Sequence, residues 1–504
     1  MISIADIARF CKEKGFVYQN SEIYNPLSGF WDFGPLGVEL KNNIKSNWWK
    51  KFVQSREDVV GIDGAIFADK RLWEASGHID NFTDALVECK KCKTRFRADQ
   101  LIEDEIKMDV EGLSEEDLTQ IIKKENIKCS KCQSELGDAK KFNMMFKTTV
   151  GPVEEKTNEV FLRPETCGLI FTNFRLVQEN ARLKLPFGIA QIGKAFRNEI
   201  SPRDFLFRCR EFEQMEMEFF THPNKINDCP YYDEVKDIKI NLFSAEDQSK
   251  AKKEHKKAKI SDLTKLTSKW HTYWIAQAYK WFIDLGVNPE NLRITQHPKE
   301  KLAHYASACF DIDYKFPFGW KEIYGNADRG QYDLNQHIKY SKRDLSIFDE
   351  ETKEKVVPRV ASEPSQGVDR AFLTFIFDAY NDDKERGNIV LKLHPKLAPI
   401  KVGIFPLVNK VKDEAKEVFN DIKEEFQATF DSSGSVGRRY ARADEIGIPY
   451  CVTYDFDTKE KGIITIRDRD TTKQITIKLT NLKETLRKLL NKEIEFEKAG
   501  KLVK

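Results

Sequence analysis

No stretch of this 504-residue chain stays apolar for the ~18 to 20 residues that a membrane helix needs; Ala371–Phe377 is among the longest uninterrupted apolar runs. That argues against a transmembrane helix. The first ten residues, Met-Ile-Ser-Ile-Ala-Asp-Ile-Ala-Arg-Phe, have neither the basic start nor the continuous apolar core of a secretory signal, so a cytoplasmic location is expected. Neither sign of charge is in excess: Lys+Arg 83 against Asp+Glu 81 leaves +2. This excludes a histone-like basic protein but not a nucleic-acid enzyme whose positive surface is local. The sequence contains no Gly-x-x-x-x-Gly-Lys-Ser/Thr loop, so any phosphate recognition must come from side chains. Ten cysteines in a reducing compartment read as metal ligands or small buried hydrophobes before they read as disulfides.

At ~150 residues per domain, the length suggests about three domains. Ile4, Ile7, Ala8 and Cys11 recur at helical spacing, which predicts an opening helix over Ile4–Lys14. Glycine and proline break Tyr24–Gly37, and Val38–Phe52 then carries Leu40, Ile44, Trp48 and Phe52 at intervals of four, a stripe that needs a partner surface. From Cys89 two Cys-x-x-Cys pairs bracket an acidic, helix-prone stretch, Leu101–Lys128, with the texture of an insertion. Phe187–Phe220 reads as a long hairpin turning at Ser201-Pro-Arg-Asp204. Ser249–Lys259 holds six lysines in eleven residues and is either a solvated loop or a phosphate-contacting arm. After His394–Pro399, short apolar strands alternate with amphipathic helices, the pattern of a βαβ unit.

The densest chemistry lies in Phe196–Glu218. Period two places Phe212, Gln214, Glu216 and Glu218 on one face of the second strand and Glu211, Glu213, Met215 and Met217 on the other. So many carboxylates on one strand are costly unless paired. Arg197, Arg203, Arg208 and Arg210 sit toward the turn, as a polyphosphate would require of fork-shaped donors. The hairpin reads as a nucleotide cradle.

Arg197-Asn-Glu199 followed by Phe207-Arg-Cys-Arg-Glu-Phe-Glu-Gln-Met-Glu216 resembles motif 2 of class II aminoacyl-tRNA synthetases, in the form of glycyl-tRNA synthetases of the homodimeric type. Trp31–Ile44 resembles that family's motif 1, and Glu363-Pro-Ser-Gln-Gly-Val-Asp-Arg370 its motif 3. Ala75–His78, Arg163–Thr166 and Gly434–Asp444 also match, so the resemblance spans nearly the whole chain. It implies a multidomain α+β and α/β fold: a class II antiparallel-sheet catalytic core over 1–88 and 141–395, a Cys-rich insertion over 89–140, and a C-terminal α/β anticodon-binding domain over 396–504. Motifs 1, 2 and 3 fall near 31–52, 190–220 and 363–380.

The activity implied is ATP-dependent attachment of glycine to tRNA(Gly) through glycyl-adenylate, with another class II synthetase or a synthetase-like nucleic-acid-binding factor as alternatives. By resemblance, ATP would meet Arg197, Asn198, Glu199, Phe207, Arg208, Cys209, Arg210, Glu211, Phe212, Glu322, Ile323, Gly367, Val368, Asp369 and Arg370. Within that set Arg197 would hold the α-phosphate, Glu199 would read the adenine amino group, Phe212 and Arg370 would sandwich the base, and Glu322 would bind magnesium. Arg197, Glu322 and Arg370 carry the catalytic assignment. Glycine would meet Arg97, Glu165, Phe212, Glu213, Gln214, Met215, Glu216, Glu363, Pro364, Ser365, Gln366 and Gly367. Cys167-Gly-Leu169 stands where the family commonly has Ala-Gln-Gly, and Cys209 replaces a common threonine.

The motif 1 stripe is expected at a homodimer interface. Arg438, Arg439, Tyr440 and Arg442 are expected to read RNA bases in the anticodon stem, with bracing of the domain's own acidic surface as the alternative for Arg438 and Arg439, and no DNA partner is expected. Cys89-x-x-Cys92 and Cys129-x-x-Cys132, 36 residues apart, have the paired form of a tetrahedral thiolate site for structural zinc. Reduced thiols without metal and a catalytic dithiol are the alternatives.

Overall fold

A computed structural model describes residues 2–108, 110, 112–153, 158–250 and 252–503. Positions 109 and 111 of the insertion, and Ala251 of the Lys-rich segment, lie outside them. Helix α1 (Ile4–Glu13) starts where Ser3 and Asp6 form a capping box, and buries Ile7, Phe10 and Cys11. Helix α2 (Pro35–Trp49) has proline in its first turn, where the missing N–H has no helical partner to lose. A β-carbon at Gly37 would stand 1.8 Å from the Phe16 carbonyl oxygen, so only glycine lets α2 lie this close to the preceding chain.

The main sheet has nine strands: β1 (Val59–Ile62), β2 (Phe187–Phe196), β3 (Glu211–Thr221), β4 (Lys239–Phe243), β5 (Lys256–Lys259), β6 (Leu292–Gln296), β7 (Ala308–Phe316), β8 (Gly319–Asp328) and β9 (Arg359–Gly367). Helix α3 (Cys167–Asn180) precedes β2, α4 (Lys269–Asp284) precedes β6, α5 (Tyr332–Ser341) follows β8, and α6 (Val368–Ala379) follows β9. The spatial order is β5-β4-β6-β7-β8-β9-β3-β2-β1, antiparallel except for β4–β6 and β2–β1. The hairpin forms as expected, with β2 and β3 in unbroken register from Phe187↔Phe220 to Phe196↔Glu211. One face is covered by α2, α4 and α6, and Met215 and Met217 are fully buried in its core.

The stripe Leu40, Ile44, Trp48 and Phe52 lies in that same core, none of the four more than 2% exposed. Phe52 packs near Trp274 and Trp281 of α4. At about 1.5–3 kcal/mol per buried large side chain, the stripe stabilises the monomer fold. It is therefore not a dimer surface. Its partner is α4 and α6 of the same chain, because the helix crosses the sheet and shows its apolar side to the core. Lys41, also buried, pairs with Asp369 at 3.3 Å and Glu213 at 2.8 Å, joining α2, α6 and β3.

In the insertion, Arg95–Arg97, Thr83–Glu88 and Lys140–Asn143 form a small sheet beside helices Ala98–Ile106 and Glu115–Lys124. Val87, Leu101, Ile102, Leu118 and Ile122 make its own core. Five of the six lysines of the segment 249–259 are partnered: Lys257 with Glu290, Lys259 with Asp237, Lys252 with Glu254, and Lys250 and Lys256 with Asp247. β5 is an edge strand, and this charge discourages pairing with another chain.

The C-terminal sheet comprises β10 (Val402–Pro406), β11 (Ala428–Phe430), β12 (Tyr450–Tyr454), β13 (Ile463–Asp468), β14 (Gln474–Lys478) and β15 (Lys501–Leu502), ordered β11-β10-β12-β13-β14-β15 around a separate core. Hydrogen bonds tie it to the rest, including Arg469 Nη2 to Leu393 O at 2.8 Å and Arg386 Nη1 to Arg469 O at 2.7 Å. Two of the side chains expected to be candidates for reading RNA, Arg439 and Tyr440, are spent inside it, while Arg442 is held in a surface pair. Arg439, 4% exposed, donates to the carbonyls of Gly434 and Pro406. Tyr440 bonds Thr453 at 2.6 Å, and Arg442 pairs with Asp431. The Gly434 turn draws them back over their own domain. No helix among the described residues is long and apolar enough to cross a membrane.

Candidate active site

On the sheet face opposite α2, a cleft is lined by Arg197, Glu199, Phe207, Arg208, Phe212, Gln214, Glu322, Ile323, Ser365, Gly367, Asp369 and Arg370. Three neighbouring strands and the start of α6 supply them: β3 the floor, β8 and β9 one side, and the loop between β2 and β3 the other. Arg197 donates Nε to Pro164 O at 3.1 Å, and its guanidinium carbon stands 5.4 Å from the centroids of both Phe82 and Phe212. Arg370, in the first turn of α6, lies 4.5 Å over Phe207 and pairs with Glu322 at 3.1 Å. Partial desolvation by the cleft walls would raise the Glu322 carboxyl, but Arg370, together with His297 and Arg197, outweighs it and holds the group below its ordinary range. Glu199 Oε2 is buried without a hydrogen-bond partner, with Arg208 Nη1 at 3.7 Å.

The four arginines of the hairpin divide. Arg197 and Arg208 line the cleft. Arg210 is used on the carbonyls of Glu199 and Ser28, and Arg203 points to Asp104 at 2.9 Å. Asn198 donates its backbone N–H to Met144 O, and Cys209 is buried beside the cleft. Strand periodicity sends Glu211, Glu213 and Met215 to the other face: Glu211 to Lys194, Glu213 to Lys41 and Lys45, and Met215 into the core. These three do not share the cleft face, although the resemblance nominated them. Val368 and Pro364 are buried, and Gln366 donates to Ile323 O at 2.7 Å. Arg97 pairs with Asp99 at 2.7 Å and Asp84 at 3.2 Å.

Next to the cleft, carboxylates converge. Glu216 Oε2 accepts from Thr166 N at 2.8 Å, Cys167 N at 3.0 Å and Thr166 Oγ1, and Oε1 accepts from Gln214 at 2.9 Å and Ser365 Oγ at 2.6 Å. The turn carrying Glu165 is held by Arg163, which donates to Lys194 O at 2.6 Å and Gly64 O at 2.7 Å. Burial would raise Glu165, yet His78 Nε2 at 3.2 Å, with help from Arg329, holds it well below the usual carboxylate range. Glu363 Oε1 accepts from Arg329 Nη1 at 2.6 Å. Burial raises Glu363, Arg329 opposes, Glu165 and Glu216 add to the rise, and the carboxyl ends at about 8. Glu218, one step further along β3, is fully buried with neither oxygen hydrogen-bonded, and burial together with Glu363 pushes it well above its ordinary value.

Arg329 was not anticipated. It is 1% exposed, forks both ways onto Asp333 at 2.7 Å, and stacks 3.8 Å over Tyr305. The signal was present in Arg329 and Asp333 at i and i+4 where an apolar strand meets a helix, but that spacing also describes an ordinary surface pair. Thr166 and His78 likewise gain their roles from folding.

Comparison with known proteins adds the family. Residues 401–489 match the family model described as anticodon binding domain. The chain is 46% identical over 497 residues to the glycine–tRNA ligase of Caldanaerobacter subterraneus subsp. tengcongensis, covering 97% of this chain and 99% of that one. It is 44% identical over 504 residues to the enzyme of that name from Bacillus thuringiensis subsp. konkukian, covering 98% and 100%. For Clostridium acetobutylicum the figures are 45% over 490 residues, 95% and 97%. Identity of this depth along essentially the full length of each chain means that the chain belongs to the glycine–tRNA ligase family.

Proposed function

We propose that the protein attaches glycine to tRNA(Gly) at the expense of ATP, on a class II catalytic core. The observation that carries this reading is a pocket of three carboxylates, Glu165, Glu216 and Glu363, beside a cleft rich in arginine and aromatic side chains. A substrate with an ammonium group and no side chain suits such a pocket, since the carboxylates hold charge and the packed walls reject an added methyl. Glycine's carboxylate oxygen attacks the α-phosphorus of ATP; the new O–P bond forms as the α–β bridge breaks and pyrophosphate leaves. The terminal ribose hydroxyl of the tRNA then attacks the glycyl carbonyl, and AMP leaves. No protein nucleophile is needed, so catalysis is positioning and electrostatics.

In this scheme Arg197 stabilises charge at the α-phosphate, Phe212 and Arg370 flank the adenine, and the orphaned Glu199 Oε2 accepts from its amino group. The hard oxygen donors of Glu322 suit magnesium, which when bound neutralises phosphate charge. Glycine-dependent ATP–pyrophosphate exchange tests the reading. Exchange driven by threonine, proline, serine or histidine instead would favour another class II synthetase, and none at all an accessory factor.

The Glu363 carboxyl makes a pH prediction. It is neutral below about 8 in the empty pocket, whereas an ammonium ligand favours the ionised form, so binding at neutral pH releases a proton. Apparent glycine affinity should strengthen as pH rises toward about 8, by up to about tenfold per unit. A flat profile from calorimetry would contradict this assignment.

Structural zinc is proposed at the four cysteines. Cys89 and Cys132 Sγ, and Cys92 and Cys129 Sγ, are 3.5 Å apart, and all four lie within 4.8 Å of one another. Zn–S bonds of about 2.3 Å in a tetrahedron require sulfurs about 3.8 Å apart, so the site fits with little adjustment. Both turns continue into a left-handed residue, Lys93 at φ 61° and Gln133 at φ 56°. Cys132→Ser should lower zinc below one ion per chain and make the insertion protease-sensitive while sparing adenylate formation. Unchanged metal content by elemental analysis would reverse that.

Homodimer formation is proposed through a surface other than the motif 1 stripe. Ile23, Tyr24 and Leu27 are 88%, 79% and 63% exposed on one short segment, an apolar group that a monomer gains nothing by showing. Anticodon recognition by the C-terminal domain rests on the family model it matches. Sedimentation at micromolar concentration and charging of anticodon-altered tRNA check the two.

A further inference from the structure

Three donors of mixed softness meet on the main sheet outside the carboxylate pocket. His297 directly follows β6, and its backbone N–H donates to Cys309 O at 3.0 Å, which sets the two residues opposite each other across β6 and β7. Cys309 and Asp311 are two positions apart on β7 and so share that face. His297 Nε2 lies 2.6 Å from Asp311 Oδ2, and one ligand atom from each of the three lies within 4.8 Å of the others. The His297 side chain is 32% exposed, which leaves an approach from solvent. Opposite Asp311 on β8 stands Gly325, where a β-carbon would be 3.6 Å from both Asp311 Oδ1 and Glu322 Oε1. The cluster therefore borders the nucleotide cleft.

We propose that His297, Cys309 and Asp311 bind a zinc-like transition-metal ion, separately from the four-cysteine site, and that the ion inhibits adenylate formation. An imidazole, a thiolate and a carboxylate leave a fourth position open, as three-ligand zinc sites do. The nitrogen and sulfur donors favour zinc, cobalt or nickel over magnesium, which prefers oxygen alone. On binding, the Cys309 thiol gives its proton to solvent and the ion takes the place of the hydrogen bond between His297 and Asp311. Those two side chains must separate to about 3.3 Å to admit bonds of about 2.0–2.1 Å. The inhibitory part rests on the reading of Glu322 and Arg370 as nucleotide contacts, because an ion here places a second positive charge beside them.

The test is cobalt titration of full-length protein whose four-cysteine site has first been filled with zinc. One further equivalent should bind with thiolate-to-cobalt absorption in the near ultraviolet, and Cys309→Ser should abolish that absorption. His297→Asn, which keeps the thiol, should weaken cobalt binding at least tenfold and covers the case in which the serine variant folds poorly. In pyrophosphate exchange, the zinc concentration for half-inhibition should rise at least tenfold in Cys309→Ser. No cobalt bound beyond the four-cysteine site, or the same spectrum and stoichiometry in Cys309→Ser, would overturn the site and leave an ion pair beside a thiol. Binding without inhibition would overturn the regulatory role alone. The spectroscopic arm needs no enzymatic activity, so it fails or succeeds independently of the proposed function.

Discussion

Replacing Arg197 with alanine is expected to slow glycine-dependent pyrophosphate exchange by ~10²-fold or more, the cost of one preorganised donor aimed at developing charge. Preorganisation is visible in the resting protein. Its Nε is committed to Pro164 O, and Phe82 and Phe212 flank the guanidinium at equal distances of 5.4 Å. The group therefore reaches the reaction already oriented, and its charge is most valuable when the α-phosphorus is crowded by five oxygens. The loss should fall on turnover more than on the KM for ATP, since Arg208, Arg370 and Phe212 still contact the nucleotide in the proposed scheme. Arg197→Lys keeps a charge but loses the flat stack and the fork, so an intermediate defect is expected. Exchange at the wild-type rate in the alanine variant would remove Arg197 from the mechanism.

Arg329→Leu is expected to be among the most destabilising single changes in the catalytic unit. It leaves Asp333 and Glu363 buried beside Glu218 and Glu216 with no cation among them, and breaking a buried pair of this kind costs about 3–5 kcal/mol. Glu363, whose carboxyl lies at about 8, is already neutral at neutral pH, so the uncompensated charge falls mainly on Asp333, and without Arg329 opposing burial Glu363 would ionise still less readily for the ammonium site. Two measurements separate these effects. Denaturant unfolding should show the lost stability, and glycine KM should rise well beyond any change in ATP KM. Arg329→Lys should recover part of the stability through its charge but not the two-pronged bond to Asp333. A leucine variant within about 1 kcal/mol of wild type, with unchanged glycine KM, would show that another group neutralises the pocket.

Local pattern was enough for the elements. Helix α1, the β2–β3 hairpin and the alternation of the C-terminal unit follow from periodicity, turn residues and caps, all of which act over a few residues. The alternation of Phe212, Gln214, Glu216 and Glu218 with Glu213 and Met215 was equally legible, because a strand permits only two faces. The motifs carried the family likeness, and with it the nomination of residues far apart in sequence. What one sequence did not determine was the partner of each surface. Leu40, Ile44, Trp48 and Phe52 required burial, and either another subunit or the same chain would satisfy them; only the packing of α2 on α4 and α6 decided for the same chain. Arg439 and Tyr440 resembled RNA-reading side chains until the Gly434 turn brought carbonyls and Thr453 within reach. Arg329 meets Glu363 across 34 residues, and His78 meets Glu165 across 87, separations at which no local rule operates. Charge needs, apolar faces and turns are properties of short segments and are written in the sequence. Which charge answers which need depends on how distant strands are brought side by side, and that is decided by the closing of the sheet and its core.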